Sequence, residues 1–264
     1  MVLRGYFDDS GDDKQQRFSA IGGLVGGPDQ WFHFEKQWNI ATYDLKKPFH
    51  STDCEAQRGC CDGWSMDRAA ALMKQLSAII ASTHLGGFGA VVPIVEYRAV
   101  FPNSGKHDPH FLALKQTIIN MAYLCRLGAL SGHLDSVAIC HEEGQTSPAA
   151  RQIYCDLKAT PGWKDSKYLV GFSTADKRLA SLQGADLVAR EAFKHADNIG
   201  KRKTRRPVKA LHRGLSFHLW TRDSLEYLKS NGGPDNLEVL TTWGQRGEVV
   251  PQMTNWFRDS FDLR

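Results

Sequence analysis

Two strand-length apolar runs in this chain end abruptly in paired carboxylates. In "RGYFDDSGDD", residues 4–13, Phe7 is followed by Asp8 and Asp9; in "HLDSVAICHEEGQ", residues 133–145, the run closes on Glu142 and Glu143. Adjacent carboxylates repel and are costly to desolvate, so a fold that keeps them at strand ends must supply a metal ion, a basic side chain or water. A third acid sharpens the constraint. In "ASLQGADLVAREAFKH", residues 180–195, helical spacing puts Leu179, Leu182, Ala189 and Phe193 within about 60° of Asp186, in the middle of the face that should pack on a sheet. The chain has to bring strand ends and a helix face together around charge.

The pattern between these points alternates strand and helix. Residues 3–8 and 17–26 read as a hairpin about Gly11, Asp12 and Asp13. A helix over 29–45 follows, with Asp29 after Pro28 as its cap and Trp31, Phe34, Trp38 and Ile40 or Ala41 inward. The polar stretch 47–63 suits a site better than a core. Ser65 caps a helix running to Thr83, and residues 86–97 read as a strand that Pro93 would put at an edge or bulge. Helices are expected over 109–127, 147–158 and 180–195, strands over 136–141 and 167–174, and a last helix in "SFHLWTRDSLEYLKS", residues 216–230. Such alternation, opened by a hairpin, indicates an α/β or α+β domain whose mixed sheet is flanked by helices. With 264 residues and 42% apolar content, the expected division is a main domain over 1–198 and a basic, helical C-terminal extension over 199–264 packed on it.

No stretch of 18 apolar residues occurs, and Met1, Val2, Leu3 and Arg4 lead straight into the first strand, so a soluble cytoplasmic protein with no membrane partner is expected. Three of the six cysteines lie inside apolar helical or strand patterns, which favours free thiols. His50, Cys54, Cys60 and Cys61 cluster in the polar loop, but adjacent cysteines without a CxxC pair are awkward zinc ligands. The net charge of +4 is unevenly spread. Lys201, Arg202, Lys203, Arg205 and Arg206 open an acid-free run that is either a solvated linker or a segment facing nucleic-acid phosphates.

Separate acids converging from different elements are what a hard divalent cation such as Mg²⁺ or Mn²⁺ requires, and two such ions can assist an in-line phosphoryl displacement. Each acid also has a plainer role. Asp9 is an ordinary turn residue, Glu142 or Glu143 can cap the turn before Ser147, and Asp186 can pair with Arg190 or Lys177.

"YFDDSGD", "FSAIGGLVGG", "FHSTDCE" and "LASLQGADLVARE", in that order, resemble family 3800 of the domains of unknown function, which is regarded as ribonuclease H-like. The resemblance covers roughly residues 3–195. It implies a ribonuclease H-like fold with an acidic, metal-binding site. Asp8 matches the opening acid, Asp9 stands where the family usually has Glu, Ser10 and Gly11 match as written, His50 matches the His after the first helix, and Gln183 and Asp186 match the late helix motif. Glu142 or Glu143 would be the acid closing a central strand.

Two functions follow. In the first, the chain is a divalent-metal-dependent nuclease or phosphodiester hydrolase, with Asp8, Asp9, Glu142, Glu143 and Asp186 as the candidate metal ligands and His50 orienting substrate or moving a proton. In the second, it is a non-catalytic nucleic-acid-binding or regulatory module on the same fold. The first requires Asp8 and Asp186, about 180 residues apart in sequence, to come within roughly 5–8 Å of each other, because hard-cation ligand distances leave little more room.

Overall fold

The computed structural model describes residues 1–11, 16–130, 135–199 and 215–246. Six strands form one mixed sheet: β1 (Val2–Gly11), β2 (Phe18–Gly26), β3 (Gly86–Pro93), β4 (Ser136–Glu142), β5 (Leu169–Ala175) and β6 (Leu215–Leu219), in the order β5-β4-β1-β2-β3-β6. The β1/β2 and β2/β3 pairs are antiparallel, whereas β4 runs parallel to β1, β5 to β4 and β6 to β3. Nine helices among the described residues cover it: α1 (Pro28–Ala41), α2 (Ser51–Glu55), α3 (Met66–Ser82), α4 (Ile94–Val100), α5 (Asp108–Leu130), α6 (Ser147–Ala159), α7 (Ala180–Asn198), α8 (Arg222–Ser230) and α9 (Leu237–Arg246).

The period-2 alternation of β1 and β4 sorts their side chains between two cores. Leu3 and Phe7 with Val137 and Ile139 face the long helix α5, where they meet Ile118, Ala122 and Cys125. Tyr6 and Leu24 turn to the opposite face, against Trp31, Phe34 and Trp38 of α1, Leu76 of α3 and Leu187 and Val188 of α7. Asp8 is in phase with Tyr6, and Glu142 is out of phase with Ile139. Both carboxylates therefore belong to the α7 face, and the Phe7–His141 register sets them side by side at the strand ends.

The helix α7 is buried on all sides from Ala180 to Phe193, because it lies between the sheet and helices α1, α2 and α3. Its closeness to the sheet depends on Gly22. That residue pairs with Asp8 across the β1/β2 ladder, and a Cβ built there would stand 2.4 Å from the Ala189 Cα and 2.5 Å from its nitrogen. Only a residue without a side chain lets the helix backbone come this near.

Several sequence expectations are revised by tertiary context. Gly27, not Asp29, caps α1, with Gln30 Oε1 accepting from the Gly27 N–H at 2.8 Å, and Ile40 is exposed. The strand expected over 86–97 stops at Pro93, which caps α4, and β3 is flanked by β2 and β6, not an edge. Pro93 is tolerated because it sits at the last ladder position, opposite Phe18. The segment read as a final helix divides into β6, paired with β3, and α8, which Thr221 caps by accepting from Ser224 N. The polar loop contains the short helix α2. Ser65 caps α3 as the sequence suggests.

Gly22→Ala should destabilise the protein by roughly 1–3 kcal/mol, the usual cost of overpacking. Denaturant unfolding measures this, and a neutral result would show that α7 can retreat from the sheet freely.

Candidate functional site

Three acids from three elements meet one lysine. The Lys177 Nζ, carried by the link between β5 and α7, stands 3.3 Å from Asp8 Oδ2, 3.4 Å from Glu142 Oε2 and 3.4 Å from Asp186 Oδ1. No two of these oxygens can be further apart than twice that distance. Asp8 and Asp186 are thus brought to one point from opposite ends of the sequence. Asp8 is almost completely buried, its Oδ1 accepting from the Asp9 N–H at 2.7 Å.

Asp186 is the most heavily partnered acid. Its Oδ2 accepts from both the backbone N–H and the hydroxyl of Ser51, each at 2.6 Å, and its Oδ1 lies 3.7 Å from His50 Nε2. The His50 Nδ1 in turn lies 3.3 Å from Asp53 Oδ2. Arg190, a candidate partner of Asp186, instead donates to Glu55 Oε2 through Nε at 3.0 Å and Nη2 at 2.7 Å. This ion pair ties α7 to the end of α2, the short helix that begins beside His50.

Gln183 secures the arrangement from behind. Its Oε1 accepts from Trp38 Nε1 at 3.0 Å and the Phe49 N–H at 3.3 Å, while its Nε2 donates to the carbonyls of Lys177 at 3.2 Å and Arg178 at 3.4 Å. One buried amide thus holds the segment before His50 and the segment carrying Lys177. Asp186, three residues later, projects from nearly the same helix face.

One ammonium cannot neutralise three carboxylates, and the protonation of the group reflects this. Burial, then a hydrogen bond to Glu142 and the Asp186 charge, push the Asp8 carboxyl well above its ordinary range despite Lys177. Burial also acts upward on Glu142, but the hydrogen bond from Asp8 and the Lys177 charge outweigh it and hold that carboxyl low. The hydrogen bond between Asp8 and Glu142 thus acts in opposite directions on its two partners. Burial acts downward on Lys177, yet the Asp186, Asp8 and Glu142 carboxylates more than compensate and keep its ammonium charged.

A cleft of about 470 Å³ opens over this group, with His50, Glu142 and Asp186 on its lining. The remaining lining includes Asp9, Glu143, His107 and His110. Asp9 and Glu143 are exposed and lie one residue out of phase with Asp8 and Glu142, so the structure does not bring them to Lys177. Burial pushes the His110 imidazole down to about 4, against the pull of Asp9. Its Nε2 and that of neighbouring His141, the ring centroids 6.4 Å apart, are buried without hydrogen-bond partners.

The six cysteines are free thiols. Cys54, Cys60 and Cys61 gather in one buried cluster, but His50 presents its carbonyl, not its ring, to Cys60. Lys201, Arg202, Lys203, Arg205 and Arg206 lie outside the described residues. Among the described residues no helix is long and apolar enough to cross a membrane.

Sequence reasoning named Asp8, Asp186, His50 and either Glu142 or Glu143 without finding what joins them. Ser51, Gln183 as a brace, and the cleft residues His107 and His110 were not anticipated in these roles, and Lys177 entered only as a competing partner of Asp186. A signal for Lys177 exists, since a lysine in a short link from strand to acid-bearing helix cannot reach far from that helix's first turns.

The class defined by these observations is a mixed α/β protein with a six-stranded sheet and an acidic cluster where parallel β1 and β4 end. No protein-family model, curated protein or solved structure matches the chain.

The two aspartates should respond oppositely to mutation in a chelator. Asp8 has a folded-state pKa above its unfolded value of about 3.9, so the wild type loses stability as pH rises from there toward the folded value. Asp8→Asn should melt higher than the wild type, by a margin that grows with pH across that window. Asp186→Ala leaves the Ser51 N–H and hydroxyl without their acceptor and takes one carboxylate from the Lys177 ammonium, and should cost roughly 3–5 kcal/mol, as when a buried pair is broken. Thermal melts over a pH series check both signs.

Proposed function

We propose that the chain is a divalent-metal-dependent nuclease or phosphodiester hydrolase acting on nucleic acid, on a ribonuclease H-like fold. The observation that carries this reading is the convergence of Asp8, Glu142 and Asp186 on a single cationic atom beneath an open cleft. The resemblance to family 3800 supports this reading, because it implies site roles for Asp8 at the end of β1, Asp186 on α7 and His50 before α2.

The donor set fits a hard cation chemically, being three carboxylates. As they stand, the oxygens surround Lys177 at ammonium distances, wider than the roughly 2.0–2.6 Å of hard-cation ligands. Among the described residues no group of three or more His, Cys, Asp or Glu side chains is arranged to hold a metal ion. Asp8, Glu142 and Asp186 would hold Mg²⁺ or Mn²⁺, which when bound supplies charge stabilisation for a phosphodiester under attack.

The chain's own groups supply the rest. His50, half-exposed on the cleft, can orient a phosphate oxygen or accept a proton at Nδ1 or Nε2, with Asp53 and Asp186 fixing its ring. Ser51 holds Asp186 through two donors, so this carboxylate keeps its orientation when its other oxygen changes partner. Gln183 keeps the His50 and Lys177 segments at a constant separation.

A second reading, a non-catalytic nucleic-acid-binding or regulatory module, is favoured by the same lysine. If Lys177 is a permanent counter-ion, the acids are structural. A panel of labelled single- and double-stranded DNA and RNA, incubated with Mg²⁺ or Mn²⁺, separates the two. Cleavage should require the ion and fall by more than roughly a hundredfold in Asp8→Asn and Glu142→Gln, beyond the usual cost of losing an outer-shell partner. Binding without cleavage of any member would instead support the module.

The nucleic-acid partner is tested separately through the basic run. Arg205 and Arg206 replaced by Ala should weaken binding about equally for all sequences and make the log–log salt slope shallower by roughly 1.4–1.8. An unchanged slope would make the run a solvated linker.

A further inference from the structure

Lys177 is the feature that the hydrolase reading does not use. Its ammonium is three-quarters buried and has an acid oxygen on three sides, contributed by β1, β4 and α7. The lysine is not an incidental visitor from the surface. Gln183 fixes its own carbonyl and that of Arg178, and Asp176 Oδ1 accepts from the Arg178 N–H at 2.8 Å, so the link is held at the root of the side chain. Flanking residue Arg178 stays exposed and pairs locally with Asp176.

We propose that Lys177 is a built-in competing cation, which occupies the position a divalent ion would take and must be displaced before that ion binds. This inference rests on the metal-site reading of Asp8, Glu142 and Asp186. Two physical consequences follow. With the ammonium in place, the three carboxylates are kept at one point without an ion, which limits their mutual repulsion in the empty protein. An incoming cation gains the same oxygens but must also release the ammonium, so its affinity is lower than the carboxylates alone would give. The released ammonium stays tethered at the cleft, where an anionic group such as a substrate phosphate is its natural new partner. Ion binding and phosphate binding would then favour each other, with equal coupling in both directions.

The discriminating experiment compares Mn²⁺ binding by wild type and Lys177→Met, followed by calorimetry and by the electron paramagnetic resonance signal of free Mn²⁺. Lys177→Met keeps the length and apolar stem and removes only the charge; Lys177→Gln serves if that variant does not fold. The variants should bind Mn²⁺ tighter by roughly tenfold or more, within the usual range of coupling between two interacting sites, and should melt lower than wild type in a chelator. A purely structural lysine would give the lower melting temperature without the gain in affinity.

The outcomes separate this inference from the reading beneath it. If wild type and variants bind Mn²⁺ equally, the competition is refuted and the metal site survives. If only the variants bind, Lys177 holds the cation position permanently; displacement in the native protein is refuted, together with the metal-dependent hydrolase. If neither binds, both fall.

Discussion

Burying several like charges at one point is the problem around which this structure is arranged. Asp8 and Asp186 are nearly inaccessible to water, and Glu142 is only partly exposed beside them. Without compensation such a group would drive its own elements apart. Compensation comes from two sources, the Lys177 ammonium and the donors that Ser51 directs at Asp186. The cluster is therefore tolerated as a whole and not residue by residue.

Packing delivers the groups to this point. Gly22 lets the backbone of α7 settle on β2 beside the residue that pairs with Asp8, and the parallel register of β1 with β4 aligns Asp8 with Glu142. The Gln183 amide reaches out of the same helix to α1, to the segment before His50 and to the segment bearing Lys177. Helix α7 thus acts as the frame of the site, which explains why it is buried all round and not only along one stripe. Of the polar residues in that stretch, Gln183, Asp186 and Arg190 each hold a neighbouring element, while the Ser181 hydroxyl is buried without a hydrogen-bond partner.

The cleft sets acidic and imidazole groups close together. Neutral His110 and the unpartnered nitrogens of His110 and His141 lie on the α5 side of the sheet, while Asp8, Glu142 and Asp186 lie on the α7 side. The division follows from the pleat, since consecutive residues on β1 and β4 point to opposite faces. Asp9 and Glu143 are separated from the cation position for that reason, although each is adjacent in sequence to an acid that reaches it.

By itself the sequence determined most of the strands and helices and pointed to Asp8, Asp186 and an acid pair closing β4, because period-2 and period-3.6 patterns and a carboxylate on an apolar face are local signals. It also pointed to His50 and Gln183 through the resemblance of their motifs. Three features were decided only by tertiary structure. The pairing of β6 with β3 is a long-range contact that overrode an apparently helical segment. The choice of Glu142 over Glu143 depended on which face of β4 meets α7, a matter of strand register. The meeting of Lys177 with Asp8 and Glu142 depended on the approach of elements far apart in the chain, since its place in the link pointed only to Asp186. Local propensity is written in neighbouring residues, but the electrostatics of a buried cluster exists only once distant segments share the same low-dielectric space.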